Sequence, residues 1–152
     1  MPDKDRLDLI YSRGYSITAM AFSLLSVILL LASDFAWWQD ATITHVRLSS
    51  AFRLSILVIL PLILAFTATG VFAGLVYFVD SDQKDLWKKL IFWIALGILG
   101  VTIIAAAVLL IVFSSISISW GYGAGFVGST LGSIIITVAY LVYFKIQQEI
   151  QS

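Results

Sequence analysis

Four stretches of this chain, Gly14–Ser33, Leu54–Val79, Leu90–Phe113 and Gly121–Phe144, contain no Asp, Glu, Lys, Arg or His. A helix of about 20 residues crosses the roughly 30 Å of hydrocarbon in a bilayer, and it satisfies its own backbone hydrogen bonds there. The expected fold is therefore an all-α integral membrane protein, a four-transmembrane-helix bundle that makes residues 1–152 a single membrane domain. Composition agrees: 61% of residues are hydrophobic, 12% are charged and the mean hydropathy is +1.02, whereas soluble domains carry about 25% charged residues.

Charge sets the expected direction of the spans. Four crossings put both termini and the loop Asp80–Lys89 on one side. That side carries Lys4, Arg6, Arg13, Lys84, Lys88, Lys89 and Lys145, against Arg47 and Arg53 on the other. Basic residues collect in cytoplasmic loops, so both termini are expected in the cytoplasm, with the plasma membrane as the default location. Trp37, Trp38 and Trp120 are then interfacial anchors on the outer side, and Tyr11, Tyr15, Tyr77, Trp87, Trp93, Tyr140 and Tyr143 fall on the inner one. The first span reads as a retained helix, because it exceeds the 7–15 apolar residues of a signal peptide and follows Asp3, Asp5 and Asp8.

The same four stretches remove most chemistry. Cysteine is absent, so thiol catalysis, disulfides and iron–sulfur clusters are excluded. Without a membrane-embedded carboxylate or base the chain lacks the usual parts of a proton-coupled transporter or a voltage sensor. It also lacks the buried glutamate on which small four-span multidrug exporters rely. Haem would need axial ligands, and only His45 in an outer loop and Met20 in the first span are candidates. Asp80 and Asp82 have no third acidic neighbour at calcium-loop spacing and read as a solvated, helix-capping turn. No cofactor, no metal, no catalytic residue and no nucleic-acid partner is expected.

The spans do carry rows of small residues. Ser16, Ala19, Ser23 and Ser26 recur at helical spacing in the first, and Gly70-x-x-x-Gly74 lies in the second, below an expected bend at Pro61. Gly97, Gly100, Ala107 and Ser114 form a row in the third, with Ile104 and Ile111 between them. Hydrocarbon gives membrane helices no hydrophobic reason to associate, so close backbone approach at such rows takes over.

The stretch "SWGYGAGFVG", residues 119–128, is similar at Gly121-Tyr122-Gly123 to the potassium-channel filter, whose carbonyls replace an ion's water. Ser119-Trp120 stands where that filter has Thr-Val, and the chain has no room for a pore helix between Phe113 and the glycines. Gly121, Gly125, Gly128 and Gly132 instead step by four, three and four, as one seam of a helix does. On this reading Gly128→Leu and Gly132→Leu break assembly, and Gly123→Ala is mild. On the outer side, residues 42–47 and 115–119 alternate like strands and are expected either to pair as a small β-hairpin or, for the second, to extend the third helix. Such an outer sheet resembles the four-span claudins in architecture alone, since their Trp, Gly and Cys signature is missing. The functional expectation is a non-catalytic accessory or structural subunit, or assembly factor, with lipid and other membrane subunits or further copies as partners. The alternative is a small channel or facilitator for an uncharged solute.

Overall fold

The computed structural model describes residues 3–39, 43–46, 55–116 and 119–152. Among them are four helices long and apolar enough to cross a membrane: α1, Lys4–Ala32; α2, Leu60–Phe78, which continues from a π-helical turn, Ser55–Ile59; α3, Lys84–Ile116; and α4, Ala124–Gln151. The change from π to α pitch falls beside Pro61, in the first turn of α2. Pro61 has no N–H to offer the carbonyls of the preceding π-helical turn, and the regular hydrogen-bond ladder is interrupted at this change of pitch.

Each helix packs mainly on two neighbours, α1 and α3 each lying against α2 and α4. Arg13 near the start of α1 stacks over Tyr77 at the end of α2, and Lys88 near the start of α3 meets Tyr143 near the end of α4. The bundle therefore runs up, down, up and down. Its core is built by the helical period. On α3 the buried residues are Lys88, Ile91, Ala95, Ile98, Thr102, Ala105, Leu109 and Phe113, steps of three and four that keep one face inward.

A sheet of three short strands, β1 (Ala36–Gln39), β2 (Ile43–Val46) and β3 (Ser119–Tyr122), crosses the end of the bundle away from Lys88, in the order β2-β1-β3 with both pairings antiparallel. The strand expectation is corrected in two ways. Segments 42–47 and 115–119 do not pair with each other, because β1 lies between them. In addition, α3 continues through Ile116 and the third strand starts only at Ser119; residues 42, 47, 117 and 118 lie outside the described residues. Aromatic residues favour the pleated, half-buried surface of a sheet, and here they stand on the central strand β1, at Trp37 and Trp38, and on β3, at Trp120 and Tyr122.

Candidate functional site

Three of the four glycines of the expected seam lie on α4. Gly125 and Gly132 are buried on α4 against α1, and Gly128 lies between them. A Cβ built on Gly128 would overlap the Leu29 side chain, and one on Gly132 would overlap Ser26 Oγ. The small residues Ser16, Ala19, Ser23 and Ser26 of α1 are all buried, with Ser26 toward α4 and Ser23 toward Gly70 of α2. Ser26 Oγ donates to the Gly128 carbonyl at 3.2 Å, a cross-helix bond that only this close approach allows.

Gly121 is corrected: it belongs to β3, not α4. It sits opposite Trp37 in the β1–β3 register, where an added Cβ would stand 2.9 Å from Trp37 Nε1. Gly123 caps α4 in an extended conformation, and its N–H donates to the Phe35 carbonyl at 2.9 Å while Gly125 N–H donates to Asp34 O at 3.0 Å. A Cβ on Gly123 would collide with the Asp34 backbone carbonyl. The expectation that Gly123→Ala is mild is therefore wrong. A flexible neighbour could move aside, but this one is backbone held by a hydrogen bond.

Gly70 and Gly74 touch α1 at ordinary distance, 3.6 Å from Ser23 Cβ and 3.9 Å from Met20 Sδ for an added Cβ. Gly97 and Gly100 are different. Nothing lies within 4 Å of a Cβ on either, and Gly97, Ile104, Ala107, Ile111 and Ser114 are all exposed, so this row faces away from the bundle. Of the two roles expected for such a row, packing within the bundle or facing a partner, the first falls here to the larger residues from Ile91 to Phe113.

At the end of the bundle that carries the sheet, Trp38 and Trp120 both lean on Phe113, with ring centroids 4.8 and 5.9 Å away, and Tyr122 stacks on Phe126 at 4.3 Å. Tyr122 OH also donates to the Ala106 carbonyl at 2.7 Å. The tryptophans thus close the bundle end through the sheet.

At the opposite end lies a cluster that the sequence reading passed over. Tyr15 and Tyr143, expected in an aromatic belt, are buried, and so is Lys88. Lys88 Nζ donates to Tyr143 OH at 2.8 Å, Tyr143 OH donates to Asp8 Oδ1 at 3.2 Å, and Tyr15 OH donates to the Lys88 carbonyl at 3.4 Å. The ammonium lies 4.7 Å from the Tyr143 ring centroid and 3.6 Å from the exposed Asp85 carboxylate. These bonds join α1, α3 and α4. The signal was present in the spacing, because Lys88 lies three residues before Ile91 on the buried face of α3, and Asp8, Ser12 and Tyr15 share a face of α1.

In the α2–α3 turn, Ser81 accepts from Gln83 N at 3.2 Å through Oγ, and Asp80 pairs with Lys84 at 3.4 Å. Among the described residues no three His, Asp or Glu side chains form a group able to hold a metal. The His45 side chain lies outside the described residues. No family model, curated protein or solved structure matches this chain.

Proposed function

We propose that the chain is a non-catalytic four-helix membrane protein, an accessory or structural subunit or an assembly factor of a larger membrane complex, with both termini cytoplasmic and the plasma membrane as its location. The outward row on α3 carries this reading. The α4 glycines are occupied by α1, whereas Gly97 and Gly100 lie open with Ile104 and Ile111 beyond them. A transmembrane helix of another subunit is the occupant such a surface fits, since small residues let two backbones approach where hydrocarbon provides no other drive. The polar cluster supports a structural role as well, because its hydrogen bonds run between helices and are largely closed to solvent.

A facilitator for an uncharged solute is the competing reading. The middle of the bundle is filled by Phe66, Ala73, Ile98, Thr102 and Ile136, each at most 2% exposed, so a passage would have to lie between copies. Gentle detergent extraction followed by native mass measurement separates the readings. Co-extraction of a different membrane protein supports the subunit, and a solitary monomer without a stable partner contradicts it.

A further inference from the structure

Hydroxyls inside the bundle mostly donate to the carbonyl one turn earlier: Ser16 to Ser12 at 3.0 Å, Thr69 to Ala65 at 2.9 Å, Ser129 to Gly125 at 2.7 Å and Thr137 to Ser133 at 2.8 Å. Ser23 does not. Among the described residues its Oγ is the one buried side-chain oxygen or nitrogen with no hydrogen-bond partner, and the residue is 2% exposed. A hydroxyl stripped of water without a replacement partner is costly, so a buried orphan of this kind asks for an explanation.

Ser23 also forms part of the wall of a cleft of about 490 Å³ between α1 and α2, lined otherwise by Met20, Leu24, Val27, Phe66 and Val71, with Thr67 beside them. The space exists because Gly70 brings no side chain to it. That volume lies within the range of small-molecule sites, about 300–1,000 Å³. The cleft's depth restricts what enters it. Ser23 is ten residues beyond Arg13 and eleven short of Asp34, and Gly70 is ten short of Asp80. At about 1.5 Å per residue each is roughly 15 Å from the flanking charges, close to the middle of a 30 Å hydrocarbon layer. Lipid headgroups and water lie too far away to supply the missing partner.

Ser23 leaves the carbonyl one turn earlier unused, so its hydroxyl is free for an acceptor that arrives within the hydrocarbon. A ligand hydroxyl would bring a further donor in need of a partner, whereas a carbonyl brings acceptor capacity alone. We infer that the α1–α2 cleft is a binding site for a neutral, carbonyl-bearing apolar molecule drawn from the bilayer, of the long-chain ketone or quinone class, whose oxygen accepts the Ser23 hydroxyl proton. One side-chain torsion swings that hydroxyl, and Thr67, whose own proton goes to the Ile63 carbonyl at 2.7 Å, adds no competing donor. The site is independent of the subunit assignment, which concerns the opposite, outward face of α3.

The test uses the full-length protein in phosphatidylcholine vesicles, photolabelled with three probes bearing the same diazirine and alkyne tag: a long-chain ketone, a prenylated quinone and an oxygen-free hydrocarbon. The ketone or the quinone is expected to label peptides containing Met20–Val27 and Phe66–Val71 saturably, and the stronger of the two identifies the source of the carbonyl. The hydrocarbon is expected to label all outward faces without saturation. Ser23→Ala deletes an oxygen that holds no hydrogen bond, so the fold is retained while the competition midpoint weakens about three- to tenfold, the worth of one hydrogen bond. Val71→Trp, at a position 58% exposed on the rim, is expected to abolish saturable labelling with an unchanged helical spectrum, and Ser129→Ala to leave labelling as it is. Saturable labelling by the hydrocarbon equal to that by the carbonyl probes, absence of saturation with both carbonyl probes, or an unchanged midpoint in Ser23→Ala overturns the assignment.

Discussion

Two residues show how much depends on what a side chain would meet. Gly123 and Gly97 are both glycines with ordinary backbone, yet a methyl group at Gly123 strikes the Asp34 carbonyl while one at Gly97 meets nothing. Gly123→Ala is expected to destabilise the bundle by about 1–3 kcal/mol, as overpacking against a fixed neighbour does, and Gly97→Ala to leave it unchanged. Thermal unfolding in detergent, followed by circular dichroism, measures both. At the other end, Lys88 and Tyr143 separate in sign. Lys88→Met exchanges a buried ammonium for an apolar side chain and leaves the Tyr143–Asp8 bond in place, so stability is expected to hold or rise. Tyr143→Phe leaves the ammonium and the Asp8 carboxylate each short of a partner, which costs about 1–3 kcal/mol. The same unfolding measurement decides; equal losses in the two variants would show that the cluster matters through packing alone.

At the scale of elements, α1 and α4 interlock through Ser26, Leu29, Gly128 and Gly132, and no comparable interlock involves the α3 glycines. Gly132→Leu is expected to force α1 and α4 apart, lowering the melting temperature by several degrees and making the Ser16–Ser26 face of α1 accessible to protease, while a wild-type digestion pattern would remove the seam. The helices were legible in the sequence because hydropathy over twenty residues is a property of the stretch itself. The start of α4 was not. Gly121 continues the four-and-three spacing of Gly125, Gly128 and Gly132, and only its pairing with Trp37, far away in sequence, makes it strand. The same holds at the polar end. An aromatic near the end of a span reads as a membrane anchor, and what turns Tyr15 and Tyr143 inward is Lys88 and Asp8, on other helices. Periodicity tells which residues share a face. It does not tell which face looks inward, and on α3 that side is held by Lys88, Ile91 and Ala95, not by the row of small residues.

At the scale of the molecule, the bundle is closed by aromatic packing and a sheet at one end and by a hydrogen-bonded cluster at the other, and the exposed side chains between them are mostly apolar. The charge distribution predicts which end faces the cytoplasm. Because the chain has no cysteine, Gln39→Cys and Ser152→Cys provide single reporters at the two ends. In intact cells a membrane-impermeant maleimide is expected to label the first and spare the second, and the reverse pattern would invert the orientation. The most direct measurement of the central claim, that α3 presents its open row to another subunit, is native mass spectrometry of the gently extracted wild type beside Gly97→Leu/Gly100→Leu. The account predicts a complex with a second membrane protein for the wild type and a folded chain without that partner for the double variant. A wild type that is already solitary, or a double variant that keeps the partner, would contradict it.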